Sequence, residues 1–133
     1  MKVLSIEQMN RLKELGVDVT PKEECLMYSS VGSDDYKLIY GQSVCEDDMK
    51  AFTLQDVIEL LPAEIETIES NYYLTITKYF YNSYVVCYFI ENQDDSYSFI
   101  YFECETILDA AYQMLLWVIE NGYLKTKVDD VQL

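Results

Sequence analysis

The residues of this chain that could do chemistry are carboxylates, thiols and phenols, because the sequence contains no histidine. That absence removes the commonest general base and the commonest metal ligand. The four cysteines, Cys25, Cys45, Cys87 and Cys104, stand too far apart for a Cys-x-x-Cys metal clamp. A cysteine nucleophile would also lack the imidazole that ordinarily activates it. Cys87 and Cys104 lie in apolar strand patterns and read as small buried hydrophobes. The carboxylates come in doublets: Glu23-Glu24, Asp34-Asp35, Asp47-Asp48, Asp94-Asp95 and Asp129-Asp130. All fall in predicted loops or tails. None follows the alternating Asp-x-Asp-x-Asp-Gly register of a calcium loop, and no pair stands out as a two-carboxylate hydrolase site. No Gly-rich phosphate loop, Ser-x-x-Lys motif or nucleophile elbow occurs. The expectation is no catalytic residue, no cofactor, no metal and no enzymatic activity.

The phenols carry more information. The chain has 13 tyrosines, concentrated between residues 72 and 101. Period-two alternation puts Leu74 and Ile76 on a core face and Tyr73 and Tyr79 on the other. Placing Val85, Cys87 and Phe89 inward sends Tyr84 and Tyr88 outward. Placing Ile100, Phe102 and Cys104 inward does the same for Tyr97, Phe99 and Tyr101. The candidate interaction surface is therefore Tyr73, Tyr79, Tyr84, Tyr88, Tyr97 and Tyr101, with Leu116 from the last helix. Such a face either stabilises the sheet through cross-strand aromatic pairs or serves recognition, since tyrosine combines large contact area with a polar tip. Aromatic sheets that stack bases pair their rings with Lys and Arg, whereas residues 71–124 contain only Lys78. A protein partner or self-association is favoured over nucleic acid.

The elements that must position these residues are legible in the caps. Ser5-Ile6-Glu7-Gln8 is a capping box, and Ile6, Met9, Leu12 and Leu15 repeat at helical spacing up to Gly16. Thr53 and Thr106, each followed three residues later by an aspartate, open two further helices; Pro62 and Asn121-Gly122 close them. The segments 25–31 and 36–40 read as short strands around the turn composition at 32–35, and 42–50 as a solvated loop. Turns are expected at Asn82-Ser83 and at 91–96. The fold class is α+β: an antiparallel three- to five-stranded meander packed on one face by helices. Helices are expected at about 6–15, 54–61 and 107–121, and strands at about 72–79, 84–90 and 97–104. The last helix has one narrow polar strip, Asp109, Gln113 and Glu120, with Leu116 inside it, so it packs on two sides or self-associates. Residues 1–124 form a single domain on this reading, and 125–133 a polar tail.

Several of these segments resemble a group of small uncharacterised proteins encoded by phages, prophages and mobile elements of gut anaerobic bacteria. They are Phe52-Thr53-Leu54-Gln55-Asp56-Val57-Ile58-Glu59-Leu60-Leu61-Pro62, the tyrosine-rich meander, Asp109–Trp117, Ile119-Glu120-Asn121-Gly122-Tyr123, and Glu14-Leu15-Gly16-Val17-Asp18. The shared motifs are caps and core faces, and the group has no assigned activity. The resemblance therefore implies a cytoplasmic, mobile-element setting and transfers no functional residue.

Composition bounds what remains. With 24 acidic against 9 basic residues the formal net charge is −15, which opposes any role that neutralises phosphates, on nucleic acid or on an anionic membrane. The opening Met1-Lys2-Val3-Leu4-Ser5 does not read as a signal peptide, and no apolar run approaches the roughly 18 residues of a membrane span, so a cytoplasmic location is expected. An apolar fraction of 50% excludes a disordered acidic tail. The function expected is a small acidic, non-enzymatic protein-interaction domain, with a homodimer as one form it could take. A nucleic-acid mimic is the first alternative; it would need carboxylates aligned at a spacing comparable to the charge every ~1.7 Å of duplex DNA. A carboxylate-based enzyme or metal protein is the second.

Overall fold

The computed structural model describes the backbone of residues 2–32, 34–79, 81–91 and 96–124, and the side chains of all these except 91 and 96–99. It is an α+β fold with three helices and two antiparallel sheets. The expected 91–96 turn and the 125–133 tail fall largely or wholly outside the described residues. The chain divides into two compact units, one running to Thr53 and one spanning Leu54–Leu124.

The first unit opens with α1 (Ile6–Glu14). Its capping box is formed in full: Gln8 N–H donates to Ser5 Oγ at 3.1 Å and Ser5 N–H to Gln8 Oε1 at 2.9 Å. Gly16, at φ +93°, turns the chain off the helix, and the bonds from Gly16 N to Lys13 O and from Val17 N to Leu12 O complete a Schellman stop. A three-stranded sheet follows in the order β2-β1-β3, from β1 (Cys25–Ser29), β2 (Lys37–Gly41) and β3 (Met49–Lys50). The first two strands match the expected hairpin. The third corrects the expected solvated loop at 42–50, because Met49 and Asp48 are buried and Met49 pairs with Tyr28. The Tyr28 hydroxyl donates to Leu4 O at 2.7 Å, tying the N-terminal segment to β1. Leu4, Met9, Leu12, Met27, Met49 and Phe52 are buried.

The second unit is α2 (Leu54–Leu60), β4 (Glu64–Glu66), β5 (Asn71–Tyr79), β6 (Ser83–Glu91), β7 (Ser96–Cys104) and α3 (Ile107–Glu120). The four strands form an antiparallel meander in sequence order. Only β4, three residues long, went unread in the sequence. The last helix opens on Thr106, whose hydroxyl accepts from Asp109 N–H at 3.1 Å. It closes with Gly122 at φ +79° and a Tyr123 N to Val118 O bond of 2.9 Å. It packs against α2 and also against β6 and β7, which explains its narrow polar strip. Asp109, Gln113 and Glu120 are exposed, whereas Ala110, Ala111, Met114, Leu115 and Val118 are buried. No helix among the described residues is long and apolar enough to cross a membrane.

Met114 and Leu115 are both fully buried on this helix. Met114→Ala and Leu115→Ala are each expected to cost about 2–5 kcal/mol. Urea unfolding monitored at Trp117 checks this, a loss below about 1 kcal/mol being inconsistent with the packing described.

Candidate functional site

Cross-strand partners in an antiparallel sheet project to the same face, so the register assigns every meander side chain. Leu74 pairs with Tyr88, Ile76 with Val86 and Lys78 with Tyr84; on the other side of β6, Tyr88 pairs with Ile100, Val86 with Phe102 and Tyr84 with Cys104. These residues share one face, the one that meets the helices, since Val86 and Tyr88 are fully buried there. The opposite face carries Tyr73, Thr75, Thr77 and Tyr79 on β5, Val85, Cys87 and Phe89 on β6, and Tyr101 and Glu103 on β7.

This register corrects the expected tyrosine surface at β6. Tyr88 is not a surface residue. It is fully buried, and its hydroxyl donates to Pro62 O at 2.6 Å. Burial pushes its phenol well above the usual tyrosine range. Tyr84 also lies on the helix-side face, half-buried, with the Lys78 ammonium 5.7 Å from its ring centroid. Conversely, Val85 and Cys87 occupy the tyrosine face, where they are nearly covered. The backbone of Tyr97 pairs with Ile90, and its side chain lies outside the described residues, as does that of Phe99. Leu116 is half-buried on α3, a helix that packs on the other face of the sheet.

Three of the expected residues do lie on the open face, Tyr73 and Tyr79 at opposite ends of β5 and Tyr101 on β7. Tyr73, Tyr79 and Tyr101 are 50%, 52% and 59% exposed. Tyr73 stands opposite Glu64 of β4; hydrogen bonding to that carboxylate, and then its charge, raise the phenol above its usual range. Ser83 donates to Glu103 Oε1 at 2.8 Å beside Tyr101. The described residues of this face include no Lys or Arg. It is a surface of phenols, threonines and carboxylates, able to make broad apolar contact and to donate or accept hydrogen bonds at its edges.

A second group was missed in the sequence, because Asp47-Asp48 reads as loop charge there. Among the described residues, Cys45, Asp47 and Asp48 bring one thiol and two carboxylate oxygens within 4.8 Å of one another. Asp47 Oδ2 accepts from the Tyr36 hydroxyl at 2.7 Å. Asp48 is 4% exposed, and its Oδ2 accepts from Ser43 Oγ, Val44 N and Cys45 N at 3.1, 2.9 and 3.0 Å. Its Oδ1 is closed to solvent, with no partner in hydrogen-bonding geometry. Burial pushes the Asp48 pKa up, but the Ser29 hydroxyl and the donors from Cys45, Val44 and Ser43 outweigh it and hold the carboxyl below its usual range. Burial and the two aspartates push the Cys45 thiol up, which disfavours the thiolate that metal binding or nucleophilic attack requires. The group works as a loop clasp, in which one carboxylate gathers the donors of 43–45 beneath β3. Among the described residues no disulfide joins Cys25, Cys45, Cys87 or Cys104, and Cys87 is buried and Cys104 half-buried.

No protein-family model, no curated protein and no solved structure matches the chain.

Two outcomes follow from these bonds. Tyr88→Phe leaves the Pro62 carbonyl without its donor and should cost about 1–3 kcal/mol in chemical denaturation. A phenol raised on folding stabilises the fold fully below its unfolded value near pH 10 and loses that contribution as pH rises beyond it. In a spectrophotometric titration, one tyrosine should therefore ionise only as the fold opens, and that step should vanish in the variant. Asp48→Ala, which removes three hydrogen bonds to a charged acceptor, should cost about 2–3 kcal/mol. A carboxyl lowered on folding contributes fully above its unfolded value near pH 4 and is lost as pH falls below that. Melting curves of the variant should accordingly be flatter than the parent's on the acid side.

Proposed function

We propose that the protein is a small, non-enzymatic interaction domain of phage or mobile-element origin, acting in the cytoplasm, whose meander offers Tyr73, Tyr79 and Tyr101 to a protein partner. The observation that carries this reading is the exposure of all three phenols, each about half, on one face of the antiparallel meander. Each ring offers a large apolar area with few rotatable bonds and keeps a polar tip, the combination enriched at recognition surfaces. Val85 and Cys87 between them add apolar floor without adding charge. The described residues of the face hold no Lys or Arg, and with Glu64 and Glu103 among them this speaks against a nucleic-acid ligand. Here the acids alternate with tyrosines and threonines, which favours a protein partner over mimicry of a phosphate array. The mobile-element setting rests on the resemblance of the caps and core faces.

The test is capture from a lysate of a gut anaerobic bacterium, with the chain and its Tyr73→Ser, Tyr79→Ser, Tyr101→Ser triple variant as paired baits. The expected result is a main catch that the triple variant loses while its melting temperature stays within several degrees of the parent's, as befits surface substitutions. An identical catch from both baits would sink the proposal. A nuclease or nucleic-acid-binding protein held equally by both would turn the reading toward mimicry.

A further inference from the structure

The charge of the second unit is one-sided. Residues 54–124 hold twelve acidic residues and a single basic one, Lys78. The register puts Lys78 on the helix side of the sheet, where its ammonium stands 5.7 Å from the centroid of the Tyr84 ring. The open face carries Glu64 and Glu66 on β4 and Glu103 on β7. Two of these three stand beside an exposed phenol. Glu64 lies directly opposite Tyr73 and is hydrogen-bonded to it. Glu103 follows Tyr101 by two residues on β7, so both project to the same face, and its Oε1 accepts from the Ser83 hydroxyl at 2.8 Å. Each bond orients a carboxylate, and with about four acceptor sites per carboxylate it leaves room for a further donor.

A phenol ring beside an oriented carboxylate suits a guanidinium, whose plane lies on the ring while its N–H fork meets the carboxylate. An ammonium has neither the plane nor the fork. The register also fixes the separation of the two ring–carboxylate pairs. Cys87 lies opposite Thr75 on one side and Tyr101 on the other, and Thr75 is two residues from Tyr73. Two strand spacings and one two-residue step set Tyr73 and Tyr101 about 12 Å apart. Only the short side chains of Thr75 and Cys87 lie in the row between. A second copy of this chain fits poorly. Its own open face has no arginine or lysine to offer among the described residues, and it brings a like charge of −15.

We infer that the tyrosine face recognises a protein surface presenting two arginines about 12 Å apart, one guanidinium seated at Tyr73 and Glu64 and the other at Tyr101 and Glu103. The inference rests on the tyrosine face being a protein-contact surface, and it names the chemistry of the partner. The acidity of the whole unit draws any basic surface toward it, whereas the two ring–carboxylate pairs select arginine over lysine.

The experiment titrates two nine-residue peptides of glycine and serine into the isotope-labelled full chain. One has arginine at its third and seventh positions, an extended span of about 13 Å, and the other has lysine at the same positions. Their charges are equal, so attraction to the acidic protein as a whole is the same for both. The arginine peptide should shift the backbone amides of residues 64, 73, 101 and 103 and bind about fivefold more tightly than the lysine peptide. In the Glu64→Gln, Glu103→Gln variant that preference should fall below about twofold. Equal binding of the two peptides, no shift at those amides, or a preference unchanged in the variant would each overturn the inference. A dimer in sedimentation whose amides at 73 and 101 become protected from exchange would also overturn it, in favour of a second copy. If the peptides fail while the Tyr73→Ser, Tyr79→Ser, Tyr101→Ser variant still loses the lysate catch, arginine recognition falls and the contact surface stands. If that catch is also unchanged, both fall.

Discussion

The pairing of Tyr79 with Ser83 governs the second unit. In an antiparallel hairpin one such pair fixes all the others, because partner numbers keep a constant sum along the ladder. From it follow Leu74 against Tyr88, Ile76 against Val86 and Lys78 against Tyr84. Side chains alternate with a period of two, so the same pair decides which residues meet the helices and which meet water. Tyr88 goes to the core, where its ring needs a donor outlet, and the Pro62 carbonyl at the end of α2 provides it. That bond links the strand at the centre of the meander to the segment joining α2 to β4. Tyr73 and Tyr101 go to the other side and stay exposed.

The same pair explains why the faces of β6 were misread. A two-residue turn at Asn82-Ser83 would pair Tyr81 with Tyr84 and send the odd-numbered residues of β6 to the face of Leu74. The observed connection pairs Tyr79 with Ser83 instead, and the change from an odd to an even sum exchanges the faces of the whole strand. Nothing in the composition of β6 could correct the slip. Val85, Val86, Cys87 and Tyr88 are all buried, so the strand lacks the alternation that reveals a face. Strand β7 keeps that alternation from Ile100 to Cys104, whereas in β5 Ile76, expected to face the core, is exposed along with Thr77, Lys78 and Tyr79; the exposed tyrosines of both strands were nevertheless legible. The helices were legible through their ends: Ser5, Thr106, Gly16 and Gly122 each act through backbone bonds within a few residues of themselves. Strands β3 and β4, of two and three residues, are too short to show a period, and they exist because longer neighbours offer them an edge.

Burial of Asp48 belongs to the same class of non-local fact. In sequence it is half of an acidic doublet in a polar loop. In the fold, Asp47 and Asp48 part company: one reaches the Tyr36 hydroxyl at the surface, and the other turns inward to gather the backbone of 44–45. A carboxylate is removed from water at a cost of several kcal/mol unless donors replace its hydration, and three donors converge on Oδ2. That convergence closes the loop immediately before β3, so the third strand of the first sheet begins where the clasp ends.

Net charge then takes on a local meaning. At −15, repulsion between copies acts on every surface of the protein, including surfaces that are themselves apolar. An exposed strand edge such as β2 would ordinarily invite pairing with its own kind. Here the strand itself holds no carboxylate; the acids stand beside it, at Asp34, Asp35 and Asp47. A charge within an edge strand discourages such addition, and β2 carries one, Lys37, at its first position.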